Sequence, residues 1–142
     1  MNTQFKAARV ENYRVSDRSA ADIRYLVIHF TANDGDTAKN NADYFAREAP
    51  GVSAHFFVDE KEIWQSVREK DVAWHCGTRG MYFHPYCRNA NSLGIELCSR
   101  KQGEKYYFTP ETVKNAQNFV RFLMKKYDIP LANVVRHYDV TH

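Results

Sequence analysis

Residues 24 to 31, Arg24-Tyr25-Leu26-Val27-Ile28-His29-Phe30-Thr31, make a run whose two alternating sets of side chains are both apolar until its end. A strand with two apolar faces needs cover on each side, so the run predicts a central strand in a layered domain rather than an open surface strand. His29 interrupts it. A polar ring in such a strand must find a partner, and either a hydrogen bond or a metal ion can provide one.

The rest of the chain supplies the cover. Asp36 or Thr37 caps a helix carrying Ala38, Ala42, Phe45 and Ala46 at helical spacing, stopped by Pro50-Gly51. Residues 54–59 and 62–67 read as two short strands around Glu60-Lys61, a hairpin without a turn glycine. Residues 77–91 show no sustained period and combine glycine, proline, asparagine and aromatics, which predicts a long ordered loop. Ser92 to Cys98 alternates as a strand, with Leu93, Ile95 and Leu97 on one face and Gly94, Glu96 and Cys98 on the other. Thr109 caps a second helix with Pro110 at its first position and an inward stripe of Val113, Ala116, Val120, Leu123 and Tyr127, ended by Asp128-Ile129-Pro130. A last strand or turn, 133–137, brings His137 back beside the sheet. Strands interleaved with helices define an α/β fold class: a single domain, its central mixed β-sheet flanked by helices on both faces.

Composition narrows the function. The chain has 142 residues, enough for one buried core, with 44% hydrophobic and 26% charged residues and a net charge of +3. Its basic residues are dispersed apart from Lys125-Lys126, so no nucleic-acid partner is expected, while a polyanionic surface such as a bacterial wall is compatible. No stretch has the apolar length of a membrane span, so no membrane insertion is expected. Residues 1–22 are polar and lack the apolar centre of a secretory signal, which predicts synthesis in the cytoplasm. Cys76, Cys87 and Cys98 are odd in number and without close pairing, so reduced thiols are expected, Cys98 in the core.

Zinc in a hydrolase takes three protein ligands and leaves a position for water. His29 and His137 are candidates for two of them; hydrogen-bonded core or surface histidines are the alternative. Glu96 is a carboxylate within an apolar strand. Buried without an ion-pair partner, its pKa would rise toward neutrality, as a general base acting on water requires; facing outward or pairing with an arginine, it would have no such role. His55 and His75 lie near strand ends, where either can contact substrate, and His84 and His142 read as solvated. Trp74, Tyr82, Phe83 and Tyr86 suit either a groove for sugars and peptide or ordinary packing.

Taken in order, Val27-Ile28-His29-Phe30-Thr31, Ser53-Ala54-His55-Phe56, Ala73-Trp74-His75-Cys76-Gly77, Ser92-Leu93-Gly94-Ile95-Glu96-Leu97 and Arg136-His137-Tyr138-Asp139-Val140 resemble the zinc-dependent N-acetylmuramoyl-L-alanine amidases of the amidase-2 family, which includes phage endolysins, autolysins and peptidoglycan recognition proteins. The resemblance spans residues of about 24 to 142. It implies that His29 and His137 bind Zn2+, that Glu96 is the catalytic glutamate activating water, and that His55, Trp74 and His75 contact substrate or stand behind the ligands. It also implies a third ligand, cysteine or aspartate, and an oxyanion-binding lysine beyond His137; the sequence ends at His142 without either, so residues 1–142 are expected to be an amidase catalytic domain truncated at its C-terminus. The expected reaction is hydrolysis of the amide between N-acetylmuramic acid and L-alanine of the stem peptide; the alternative is a non-catalytic muropeptide-binding module. The expected partner is bacterial cell-wall peptidoglycan, reached by a monomer after release through a membrane lesion.

Overall fold

The computed structural model describes residues 2–77 and 80–142; Thr78 and Arg79, in the stretch read as a long loop, and Met1, in the polar N-terminal segment, lie outside the described residues. In chain order the elements are β1 (Gln4–Phe5), β2 (Tyr13–Arg14), β3 (Tyr25–Phe30), α1 (Ala38–Arg47), β4 (Phe56–Val58), β5 (Ile63–Gln65), β6 (Val72–Ala73), β7 (Ser92–Leu97), β8 (Arg100–Gln102), β9 (Lys105–Tyr107), α2 (Pro110–Tyr127), β10 (Val134–Arg136) and α3 (His137–Thr141). Six strands form one sheet in the order β1-β5-β4-β7-β3-β10. The β4–β5 pair is antiparallel and the other pairings are parallel, which makes the sheet mixed as expected.

The period-two patterns of β3 and β7 divide the core into two layers. Leu26, Leu93 and Ile95, all fully buried, join Phe56, Val58 and Ile63 on one face, where α2 packs. On the opposite face Val27 packs with Cys76, Cys87 and Val140, and Phe57 with Ala38, Ala54 and Cys98, under α3 and α1. The α2 stripe is broader than the expected one. Ala116 and Leu123 are buried as predicted and Val120 and Tyr127 pack partly buried against the same core, while Thr112 and Phe119 are also buried on that face and Val113 is only half-buried at its edge. An aromatic ring removes more apolar area from water than valine does, and Phe119 gains an edge-to-face contact with Phe56 at 4.7 Å between centroids.

Local chemistry accounts for the element ends. The Thr37 side chain caps α1 by accepting from Asn40 N at 3.0 Å. The hairpin needs no turn glycine because Asp59 Oδ1 accepts from Lys61 N at 2.8 Å and Glu62 N at 2.7 Å, while its Oδ2 accepts from Ala38 N at 2.8 Å. Five strands and one helix went unforeseen in the sequence: β1, which adds a parallel edge beside β5, the small β2–β6 and β8–β9 pairs, and the one-turn α3. All are short, and β8 and β9 are exposed, so they carry little apolar alternation.

Candidate metal centre and its cleft

Parallel pairing of β3 with β7 places His29 opposite Glu96 and Val27 opposite Gly94, so imidazole and carboxylate leave the same face of the sheet side by side. The third group comes from the far end of the chain. β10 pairs with β3, and α3 begins at once with His137, whose ring lies 4.8 Å from that of His29 between centroids. The loop after Cys76 holds α3 in place: Phe83 N and His84 N both donate to Val140 O, at 2.8 and 3.0 Å, and Phe83 stacks on His142. His29, Glu96 and His137 open on a cleft of about 300 Å³, walled by Phe30, Phe45, Val52, Trp74 and His75. A larger cavity of about 410 Å³, near Asp36, Asp59 and Arg100, contains no histidine.

Burial sets the protonation states. It holds the His29 imidazole down at about 3, with the neighbouring His137 adding to the effect, so His29 is a neutral lone-pair donor at pH 7. Burial pushes Glu96 up to about 7, reinforced by Asp36, and no ion pair among the described residues offsets it. The carboxyl group therefore exchanges its proton near neutral pH. His137 Nε2 is buried with no hydrogen-bond partner, a costly state that a metal ion would relieve. Among the described residues no group of three or more His, Cys, Asp or Glu is placed to hold a metal ion. The donors present fit a zinc ion in kind, as two imidazoles beside a carboxylate.

His75 and His55 occupy a second layer. His75 is nearly buried, with Nδ1 at 2.9 Å from His29 Nε2, and its ring lies where a side chain on Gly94 would be: a Cβ there would stand 2.7 Å from His75 Cγ. Gly94 thus makes room for His75. His55 is fully buried, does not line the cleft, and packs on His75 with centroids 6.1 Å apart. Its Nδ1 accepts from Gly94 N at 3.1 Å, so Nε2 carries the proton and donates to Asp71 O at 2.9 Å. Of the four aromatics considered for a groove, Trp74 alone lines this cleft; Tyr82 lies under the Arg88 guanidinium and Tyr86 is exposed. His84 departs from the solvated role expected of it, because its Nδ1 accepts from Tyr86 N and Cys87 N and organises the loop. The three cysteines are free and buried. Sequence reasoning missed Ser92 and Asn89, which hold His75, and the cleft residues Phe45, Val52 and Ser53, for which isolated residue types give no signal.

Imidazoles beside a carboxyl group raised to about 7 are the components of a hydrolytic centre. The chain belongs to the amidase-2 family, described as N-acetylmuramoyl-L-alanine amidase, with residues 19–142 matched. Among curated proteins it is 34% identical to the N-acetylmuramoyl-L-alanine amidase CwlL of Bacillus licheniformis over 94% of this chain and 39% of that protein. It is also 34% identical to the amidase BlyA of Bacillus subtilis over 84% of this chain and 35% of that one. The chain therefore spans well under half the length of these relatives. Its fold superposes on the catalytic domain of XlyA, from Bacillus subtilis, with a TM-score of 0.75 at 31% identity, covering 96% of this chain and 84% of that one. It is similar too, with a TM-score of 0.65 at 28% identity over 89% of this chain and 52% of that one, to the Escherichia coli amidase AmiD in complex with anhydro-N-acetylmuramic acid-L-Ala-D-γ-Glu-L-Lys.

Proposed function

We propose that residues 1–142 form the catalytic domain of a peptidoglycan amidase hydrolysing the amide between the lactyl group of N-acetylmuramic acid and L-alanine of the stem peptide. The observation that carries this reading is the register pair His29–Glu96, with Glu96 raised to about 7 and the unpartnered Nε2 of His137 close by. His29 and His137 would hold zinc, which when bound supplies a Lewis acid that polarises the amide carbonyl and acidifies water. Glu96 takes the proton of the attacking water and returns it to the departing amine, a double role suited to a group titrating near neutral pH. Trp74, Val52 and Phe45 wall the cleft and orient the stem peptide, and His75 with His55 behind it fixes the ring of His29. The partner is cell-wall peptidoglycan, met by a monomer that is made in the cytoplasm and reaches the wall through a membrane lesion.

Digestion of purified peptidoglycan, read as new free amino groups, tests the assignment. Release is expected to stop on chelation, to return with zinc, and to fall by at least about a hundredfold in Glu96→Gln. Unchanged release under chelation, or full activity without the carboxylate, overturns it. Calorimetric binding of muropeptide with no turnover in the same sample would instead favour a binding module.

A further inference from the structure

A continuous chain of hydrogen bonds runs from the backbone to the first histidine of the centre. Ser92 Oγ lies 2.8 Å from Arg88 O and 3.1 Å from His75 Nε2. A carbonyl only accepts, so the single hydroxyl proton of Ser92 goes to Arg88, and the oxygen is left to accept from His75 Nε2–H. A neutral His75 protonated at Nε2 has a bare Nδ1. That atom is 3.4 Å from the weakly donating Cys76 Sγ and 2.9 Å from His29 Nε2; two bare ring nitrogens at the shorter distance would set lone pair against lone pair, so His29 Nε2 is the donor. The proton of His29 is thereby placed on Nε2 and the free lone pair on Nδ1.

We infer that Ser92 and His75 are positioning residues that select the tautomer of His29, presenting Nδ1 as its metal-binding nitrogen. The inference rests on the reading of His29 as a zinc ligand, but the relay is a property of the metal-free protein. Its geometry is built rather than incidental. The ring of His75 fills the space that Gly94 leaves by having no Cβ, and its backbone is pinned by Asn89 Oδ1, which accepts from His75 N at 3.1 Å and Cys76 N at 2.7 Å. Ser92 is fully buried at the start of β7, so no water competes for the hydroxyl. Ligating histidines commonly donate their second N–H to a carboxylate or carbonyl; here a neutral imidazole takes that place and needs its own tautomer fixed from behind.

Long-range proton–nitrogen NMR on 15N-histidine-labelled, metal-free chain at about pH 8, where unperturbed histidines are neutral, reads the tautomers directly. Both His29 and His75 are expected as the Nε2–H form. Ser92→Ala is expected to mix the His75 and His29 tautomers and to weaken zinc binding by about 10- to 100-fold in competition with a chromophoric chelator, while Ser92→Thr, which keeps the hydroxyl, restores both. His29 found as the Nδ1–H form in the unaltered chain overturns the inference, and so do unchanged tautomers and zinc affinity in Ser92→Ala. If that variant does not fold, the spectrum of the unaltered chain decides alone. Failure of the unaltered chain to bind zinc would count against the metal assignment, and the metal-free spectrum would still judge the relay.

Discussion

Single residues here carry opposite kinds of cost. Glu96 is a carboxyl group raised from 4.5 to about 7 by burial. Between those values the folded chain keeps a proton that the unfolded chain has released, so stability falls as pH rises through that window and is level above it. In the metal-free chain the loss amounts to about 3 kcal/mol, and Glu96→Gln removes it. Urea melts of both proteins at about pH 4 and about pH 8 check this: relative to the parent, the variant is expected to be more stable at the higher pH than at the lower. Gly94 is the converse case, an absence that the site uses. In Gly94→Ala the new Cβ meets a packed ring rather than a flexible chain end, so a loss of about 1–3 kcal/mol is expected, with displacement of His75 visible in its ring resonances. That β7 carries a glycine two residues before a carboxylate is plain in the sequence. That the space belongs to His75 is not, because the ring arrives from a separate strand-to-loop segment.

At the level of elements, Asp59 ties three backbone donors together across the β4–β5 turn and the start of α1. Asp59→Ala is expected to cost about 2 kcal/mol or more, since it strands donors in two elements, whereas Thr37→Ala removes one capping acceptor and costs about 1 kcal/mol. Thermal denaturation of the two variants side by side checks the ordering. The helices α1 and α2 and the long strands were legible because their apolar residues recur at 3.6 or 2 residues and their ends carry caps. The place of Phe119 in the α2 face was not, since Val113, Val120 and Phe119 are all apolar and only packing against Phe56 decides which is buried most deeply. The strands β8 and β9, exposed and rich in lysine and tyrosine, lack the alternation that would have marked them.

Across the whole molecule, the candidate centre joins residues 29, 96 and 137 through β3, β7 and the β10–α3 corner, so a metal held there would link its binding to folding. Zinc that binds the folded chain alone is expected to stabilise it by about 2.7 kcal/mol at a free concentration a hundredfold above its dissociation constant. In His137→Ala the zinc-dependent rise in melting temperature should disappear while the metal-free melting point changes little. An equal zinc-induced rise in that variant would place the ion elsewhere.

The sequence by itself determined the kinds of element, the two-sided burial of β3, and the presence of imidazoles and a carboxylate where apolar side chains were due. Those properties are local, written in periodicity, caps and composition within a few residues. Only the tertiary structure decided that His29 faces Glu96, that His75 lies over Gly94 behind His29, and that His137 returns to the same face. Parallel register and loop docking are set by contacts between segments far apart in the chain, and no local period encodes which distant residue a side chain will meet.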